Sequence, residues 1–316
     1  MNNKFLFLLL CALIGIYLVN RWMSGNRDRS FQTELIAIDT ARVTSVTILP
    51  KGGQAADEVT LKRESGGWIA SKGAVSTRSP QDPIDALLAQ LSLIKSERIV
   101  ANKEEKWSEY EVGEGQGTRI RVYAGEKLLE DFMVGRFNFN QQNRTMTTYL
   151  RLDGEREVYA VDGMQTMGLN SGFDTYRNRQ VLELDPATLN RFNWESTNPD
   201  SIFRAERVDG SWLANGENVL DSASVSGFLQ PLQTLRGTAF ADDYPGARDR
   251  AEYLGKLSLW PQDGDEPVEV ECYFDSTRAQ PFVFHSSFNP DAYFASDSTG
   301  LYRSLVQKPT ELLGVW

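Results

Sequence analysis

Hydrophobic and polar residues alternate along most of the chain, in short runs separated by turn residues. The runs "VTSVTIL", "EVTLKRE" and "GWIA" come first, and the last two are joined through Ser65, Gly66 and Gly67. "TRIRVYAG", "LLEDFMVG", "TTYLRLDG" and "REVYAVDG" follow, with a turn at Asp153 and Gly154 between the last two. Alternation with a period of two is the pattern of a strand that buries one face. We therefore predict consecutive antiparallel strands joined by hairpins.

One segment among these runs has helical spacing instead. Its apolar residues recur every three or four positions, which places them on one side of a helix. They are Ile84, Leu87, Leu88, Leu91 and Ile94. Asp82 is the expected N-cap and Pro83 the expected first helical residue. The predicted fold class is α+β, with an amphipathic helix packed on a mainly antiparallel β unit.

The second half of the chain repeats this order of residues. Arg63, Gly66, Trp68 and Ala70 reappear, 144 positions later, as Arg207, Gly210, Trp212 and Ala214. The helical stripe reappears as Val225, Phe228, Leu229, Leu232 and Leu235. We therefore predict a tandem duplication, with a first α+β repeat over residues 33–184 and a second over residues 185–316. Pro231 interrupts the second stripe, so the second helix is expected to be short or bent.

The repeated Gly and Trp have a structural interpretation and a functional one. Gly suits a tight turn with positive φ, and Trp on the returning strand can cover the helical stripe with a large apolar face. Alternatively, Trp68 and Trp212 are ligand-binding residues that stack on a sugar. The sequence leaves both interpretations open.

The first 22 residues, "MNNKFLFLLLCALIGIYLVNRW", contain an uncharged apolar run from Phe5 to Val19. No small residues suited to signal cleavage follow this run, so we predict an uncleaved transmembrane anchor over residues 1–22, followed by a polar stalk over residues 23–32. A cleaved signal peptide, a lipoprotein modified at Cys11 and a buried helix are the alternatives. The anchor predicts a single-pass protein of the inner membrane, with its soluble part on the extracytoplasmic, periplasmic side.

Charge and composition exclude several kinds of function. The 316 residues carry a formal net charge of -10, and the sequence pI is about 4.9. Nucleic acid is therefore not an expected partner, because phosphate binding requires a basic surface. Cys11 and Cys272 are the only cysteines and His285 is the only histidine, so neither an internal disulfide in the soluble part nor a zinc site is expected.

No catalytic motif stands out in the sequence. His285 is followed by Ser286 and Ser287, but neighbours in an extended segment do not form a catalytic triad. Carboxylates cluster in polar segments that are typical of solvated turns, at Glu104 and Glu105, at Asp242 and Asp243, and at Asp263, Asp265 and Glu266. We therefore predict no catalytic, cofactor-binding or metal-binding residue, and we expect the protein not to be an enzyme.

Several segments together resemble a known family. They are the N-terminal apolar run, "VTLKRESGGWIA", "IDALLAQLSLI", "RIRVYAG", "FMVGR", "YLRLDGEREVYAVD" and "YRNRQVLELDP". This pattern is similar to the DUF4340 family of uncharacterised bacterial envelope proteins, and it covers roughly residues 33–190. The segment from Tyr110 to Gly113 departs from the family's "YGL..P" pattern. Members of the family often occur beside ABC-2 type export systems related to those of gliding motility, so the resemblance implies an accessory envelope role.

These observations favour a membrane-anchored, non-enzymatic envelope protein that binds another protein, such as the permease of an ABC-type export system. A carbohydrate- or peptidoglycan-binding module is the main alternative. Hydrolysis by two carboxylates that converge in a cleft is a third hypothesis. The sequence identifies neither the partner nor the oligomeric state.

Overall fold

A computed structural model of the chain describes residues 34–197, 202–261, 266–307 and 311–312. The predicted anchor and stalk, residues 1–32, lie outside these described residues. Within the described ranges, no helix is both long and apolar enough to cross a membrane. The described part consists mostly of antiparallel strands with few helices, so the β-rich α+β class is confirmed.

The chain forms two compact units. The first contains the described residues up to Gly73 together with Gln81–Gly172. The second contains Ala74–Pro80 and the described residues from Phe173 onward.

A ten-stranded antiparallel sheet is built from the first half of the chain. Its strands are β1 (Glu34–Ala37), β2 (Ser45–Leu49), β3 (Val59–Glu64), β4 (Gly67–Lys72), β5 (Val75–Arg78), β6 (Leu93–Ala101), β7 (Thr118–Ala124), β8 (Lys127–Asn140), β9 (Thr145–Leu152) and β10 (Val158–Asp162). Their order across the sheet is β1-β6-β10-β9-β8-β7-β2-β3-β4-β5. The hairpin predicted through Asp153 and Gly154 is the antiparallel pair β9–β10.

Helix α1 (Gln81–Ser92) covers one face of this sheet and contacts β1, β4 and β6. Ile84, Leu87, Leu88 and Leu91 are all buried, as the helical spacing predicts. Each fully buried side chain of this size contributes about 1.5–3 kcal/mol. Three details differ from the prediction. The helix begins at Gln81, so Asp82 lies in the first turn rather than at the N-cap, and Pro83 is the third helical residue rather than the first. Ile94 is buried, but it belongs to strand β6.

A small cluster closes part of the opposite face of the first sheet. Val112, Met133, Tyr149, Val158 and Ala160 are buried there, and partly buried Trp107 and Tyr110 pack against them. Trp107 and Tyr110 begin and end the short helix α2 (Trp107–Tyr110), which directly follows the 3-10 helix Glu104–Lys106. A further short helix, α3 (Gly163–Thr166), follows β10, and 3-10 helices span Met167–Asn170 and Phe173–Tyr176.

The second unit contains one large antiparallel sheet and a strand pair. Its strands are β11 (Gln180–Glu183), β12 (Leu189–Ser196), β13 (Phe203–Val208), β14 (Ser211–Ala214), β15 (Asn218–Val219), β16 (Thr234–Arg236), β17 (Ala239–Phe240), β18 (Glu252–Pro261), β19 (Val268–Phe274), β20 (Phe282–Ser286) and β21 (Asn289–Ser296). The nine-stranded sheet has the order β15-β14-β13-β12-β18-β19-β20-β21-β17, and β11 pairs with β16.

Helix α4 (Ser222–Leu229) packs in the core of the second unit. The Asp221 side chain accepts a hydrogen bond from the Ser224 amide and so caps the helix. Pro231 follows within the 3-10 helix Gln230–Gln233, which confirms that this helix is short. Leu235, predicted in the helical stripe, belongs instead to strand β16.

The two repeated glycine turns differ in backbone conformation. In the second unit, Asp209 and Gly210 have φ of 50° and 82°, the left-handed pair that joins two strands tightly. In the first unit, positive φ falls on Gly67, at 120°, rather than on Gly66. The expectation of positive φ at the repeated glycine is therefore right for Gly210 and wrong for Gly66.

Candidate functional site

The candidate tryptophans lie inside the two units. Trp68 on β4 is 4% exposed and Trp212 on β14 is 5% exposed. Trp212 packs with Val225 and Phe228 of α4, as its structural interpretation predicts. Ligand binding by the two tryptophans stays a prediction, and little of either ring is accessible from solvent.

Each tryptophan has an arginine beside it. The Arg63 guanidinium carbon lies 5.1 Å from the centre of the Trp68 ring, and that of Arg207 lies 5.7 Å from Trp212. In both hairpins the arginine and the tryptophan occupy directly paired strand positions. This adjacency gives cation–π contacts that hold the indole ring in place.

The lone histidine lies on a strand face rich in tyrosines. Val270, Cys272 and Phe284 are in the core, so their strand neighbours face the opposite side of the nine-stranded sheet. The 3-10 helix Tyr244–Arg250 packs on that opposite side. We call this group of residues the tyrosine face. Tyr244 and Tyr273 form its buried base, at 0% and 5% exposure. Its accessible members are the exposed Arg248 and Tyr253 and the partly buried Glu271, His285 and Tyr293.

Hydrogen bonds fix the polar groups of the tyrosine face. The Tyr273 hydroxyl donates to Glu271 Oε2 at 2.7 Å and accepts from Arg248 Nη2 at 3.0 Å. His285 stacks on Tyr293 with ring centres 4.5 Å apart, and its Nε2 lies 3.0 Å from the carbonyl oxygen of Pro290. The histidine Nδ1 is 3.7 Å from Glu271 Oε2, which is too long for a hydrogen bond. The arrangement therefore orients side chains but lacks a His–carboxylate hydrogen bond.

Burial raises the pKa of the Tyr244 and Tyr273 phenols of this face. Desolvation raises the pKa of Tyr244 to about 12, and the Tyr244 hydroxyl has no hydrogen-bond partner among the described residues. Desolvation, followed by the hydrogen bond to Glu271, also raises the pKa of Tyr273. The neighbouring Tyr273 phenol raises the pKa of Arg248, which stays a cation. At neutral pH the neutral Tyr273 phenol thus lies between the Arg248 guanidinium and the Glu271 carboxyl group, and the neutral Tyr244 phenol packs against it.

Cys272, on the core face of the same strand, is 1% exposed. Desolvation raises the pKa of its thiol, so the thiol stays protonated and unreactive at neutral pH. Within the described ranges, no group of three or more His, Cys, Asp or Glu residues is arranged to hold a metal ion.

The carboxylates at Asp242 and Asp243 are not simple solvated turn residues, because each binds an arginine. Asp242 accepts from Arg177 Nη1 at 2.8 Å and from Nη2 at 2.6 Å. Asp243 accepts from both terminal nitrogens of Arg278, at 2.7 and 2.8 Å. These arginines lie 65 and 35 positions away in the chain, so the sequence around the two aspartates does not predict the ion pairs. Glu104 and Glu105 are exposed, as predicted, whereas Asp263 and Asp265 lie outside the described residues.

The first unit contains an open cleft of about 410 Å³. Its lining includes Lys51, Glu111, Gln116, Arg136 and Asn170. Lys51 Nζ is 2.7 Å from Glu111 Oε2, so two of the charged groups neutralise each other. The lining also contains the apolar residues Pro50, Val134 and Phe137, so this open cleft offers both hydrogen-bonding and apolar groups to a partner or a sugar.

Comparisons with known proteins identify a family but no individual relative. Searches of curated proteins and of solved structures find no match. The family model described as "Domain of unknown function (DUF4340)" matches residues 75–255. The match begins in β5 and ends in β18, and it therefore includes α1 and the Trp212 hairpin. Because it covers more than half of the chain, the protein belongs to the DUF4340 family.

Proposed function

We propose that this protein is a membrane-anchored, non-enzymatic envelope protein that binds a protein partner, with the permease of an ABC-type export system as the candidate partner. The observation that carries the partner-binding part of the proposal is the tyrosine face of the second unit. The resemblance to envelope proteins encoded near export systems supports the choice of partner.

The tyrosine face has the composition of a protein-binding surface. Tyrosine and arginine are enriched at the residues that contribute most to binding energy, because they combine apolar area with directed hydrogen bonds. Tyr253 is 37% exposed, and its ring contacts Tyr273 with centres 5.4 Å apart. The bonds among Arg248, Tyr273 and Glu271 already hold the polar groups in place. A partner would therefore meet a preorganised surface, which lowers the entropy cost of binding.

The proposed anchor over residues 1–22 would increase the effective concentration of this face near a membrane partner. The uncharged apolar run from Phe5 to Val19, with no small residues suited to cleavage after it, supports this anchor. The soluble part is proposed to lie on the extracytoplasmic side of the inner membrane.

We further propose that the two units arose by tandem duplication of one β unit with a helix packed on it. The strand orders support this proposal. From β5 inward, the first sheet runs β5-β4-β3-β2-β7-β8-β9-β10-β6-β1, and from β15 the second runs β15-β14-β13-β12-β18-β19-β20-β21-β17, with β11 paired to β16. The two orders correspond strand by strand if β16 and β17 together take the place of β6.

A side-chain arrangement also recurs in both units. Asp39 accepts from the amide of Ala41, and Arg63 donates to the carbonyl of Ala41 at 3.1 Å. In the second unit, the Asp185 side chain accepts from the amide of Ala187, and the carbonyl of Ala187 accepts a 3.1 Å hydrogen bond from an arginine. That arginine is Arg207, the counterpart of Arg63. The same turn, tied to the same hairpin, supports a common origin.

Crosslinking from native membranes tests partner binding. Full-length protein is expected to capture ABC-transporter subunits, whereas protein without residues 1–22 is expected to lose them. Tyr253→Ala should weaken capture, while Phe288→Ala is a matched control, because Phe288 is an aromatic residue with 38% exposure in the same unit. Full-length protein that captures no membrane protein would refute the partner proposal.

A carbohydrate- or peptidoglycan-binding role is the second candidate, and the open cleft of the first unit, which combines hydrogen-bonding and apolar groups, favours it. Isothermal titration of the protein with envelope polysaccharides tests this role. Binding that is lost in Asn170→Ala, a residue that lines the cleft, would support it.

A further inference from the structure

The hairpin formed by β8 and β9 extends beyond the core of the first unit. All ten residues from Arg136 to Thr145 are exposed, whereas the preceding residues Phe132–Gly135 are buried. The register between β8 and β9 shifts between Val134 and Phe137, which is where the strand leaves the core. Such a bulge redirects a strand and increases its twist. The end of the hairpin therefore projects beyond the core, while Arg136 and Phe137 at its base line the cleft of the first unit.

One face of this projection is apolar. Phe137 is 37% exposed and Phe139 is 56% exposed, and strand alternation places both rings on the same side. Phe139 pairs directly with partly buried Met146 on β9. The backbone of Gly163 in α3 packs against Met146, and the following Met164 is 61% exposed. Large exposed apolar groups in this arrangement mark an interaction surface.

The charge of the hairpin is opposite to that of the protein as a whole. The chain has 43 acidic residues and a net charge of -10, yet residues 132–152 contain no Asp or Glu. This segment contains Arg136, Arg144 and Arg151, of which Arg151 is buried. The ion pairs among the described residues do not involve Arg136 or Arg144. The exposed charge of the hairpin end is thus positive only.

The hairpin end is also held in one conformation. Asn140 Oδ1 accepts from the amide of Gln142 at 2.9 Å and from that of Asn143 at 3.3 Å. Arg144 closes the turn with a φ of 52°. At the base, the Arg136 guanidinium carbon lies 5.8 Å from the centre of the Tyr110 ring. The apolar and basic groups are therefore presented together without further ordering.

We infer that the end of the β8–β9 hairpin docks on an anionic lipid surface, with Phe137 and Phe139 in the headgroup layer and Arg144 against lipid phosphates. Anionic surfaces attract arginine, and aromatic side chains partition into the interface. A hairpin end whose residues 136–145 are all exposed fits a fluid headgroup layer better than the closed groove of a protein. The inference uses the described residues only and does not depend on the tyrosine face.

A spin label tests this inference in the full chain. Gln142→Cys places the label at the hairpin end, in a chain that also carries Cys11→Ser, and Cys272 stays unlabelled because it is buried. The protein is placed in nanodiscs of phosphatidylcholine alone or with phosphatidylglycerol. The depth of the label is measured from its accessibility to oxygen and to a nickel chelate. We expect a headgroup-depth signal only with phosphatidylglycerol, and a loss of that signal in Phe137→Ser/Phe139→Ser.

Arg144→Gln should reduce the docked-to-undocked ratio roughly fivefold. Arg98→Gln is the matched control, because the Arg98 side chain is 62% exposed in the same unit and lies on another strand. A label on Ser65→Cys, in the exposed β3–β4 turn, reports whether the variants keep their fold.

Three results would overturn the inference. The first is a label that stays in water with both lipids, and the second is equal depth with both lipids. The third is a dimer that forms without lipid and is lost in Phe137→Ser/Phe139→Ser, because it would assign this face to a second copy of the chain. Failure of the anchor gives a different result, since the protein would then enter neither kind of disc. In that case the same labelled protein is mixed with preformed discs, and the depth of its label still measures docking by the hairpin.

Discussion

Replacing Asp242 by Ala removes the main acceptor for a buried arginine. The Arg177 side chain is 2% exposed, and it donates to both carboxylate oxygens of Asp242. Its guanidinium carbon lies 3.5 Å from the centre of the Phe240 ring, so the charge is enclosed on that side as well. In Asp242→Ala this charge keeps only Asp174, at 3.3 Å, as an acidic partner among the described residues.

The expected cost follows from this geometry. Removing one partner of a buried ion pair destabilises a protein by about 3–5 kcal/mol, because the remaining charge is not solvated. Asp242 is 40% exposed and Asp174 stays in place, both of which lower the cost. We expect a loss of about 2–3 kcal/mol in the free energy of unfolding of the second unit. This corresponds to a fall in its melting temperature of roughly 4–12 °C.

The adjacent Asp243 provides a matched control. It also binds an arginine through two hydrogen bonds, but its side chain is 71% exposed and that of Arg278 is 15% exposed. Exposed pairs contribute about 0–1 kcal/mol, so Asp243→Ala should have a small effect. Calorimetry of both variants gives the comparison.

A double variant separates two effects of the Asp242 substitution on stability, namely the burial of an unpaired charge and the loss of side-chain contacts. Arg177→Met/Asp242→Ala removes both charges and keeps an apolar side chain against Phe240. It should be more stable than Asp242→Ala alone, because no buried charge remains. Equal effects of Asp242→Ala and Asp243→Ala, or a double variant less stable than Asp242→Ala, would refute this reasoning.

Four further predictions concern the second unit. Burial raises the pKa of Tyr244 from 10.0 to about 12, so stability that is complete below pH 10.0 should fall as the pH rises toward 12. Tyr244→Phe should reduce that alkaline loss in urea unfolding. Hydrogen bonding to arginine lowers the pKa of Asp243, so its contribution is present above its ordinary value of 3.8 and is lost in more acidic solution. Asp243→Ala should accordingly flatten the acid limb of the stability profile. Asn289 donates to the backbone carbonyls of Asn178, just before β11, and of Gln180, the first residue of β11. Asn289→Ala should therefore cost about 2–4 kcal/mol in chemical unfolding. A Cβ at Gly237 would overlap the buried ring of Phe294, so Gly237→Ala should cost about 1–3 kcal/mol and lower the melting temperature.

Local patterns in the sequence predicted much of the secondary structure. The buried face of α1 follows from residues three and four positions apart, and the strands follow from alternation, because both signals depend only on near neighbours. Pro231 likewise marked the end of α4. Local patterns predicted the ends of helices and strands less well. Ile94 continues the helical spacing, yet it lies in β6, since pairing with β1 determines where the helix ends.

The tertiary structure alone brought together the groups that carry the proposals. Glu271 and His285 lie on neighbouring strands, and Arg248 reaches the Tyr273 hydroxyl from a 3-10 helix, which no short-range pattern indicates. Arg177 and Asp242 are partners across 65 positions of chain. Alternation could identify Phe137 and Phe139 as one face of a strand, but it gave no sign that this strand continues past the core. Sequence patterns specify which side of an element is apolar, whereas long-range packing decides which of those sides are covered.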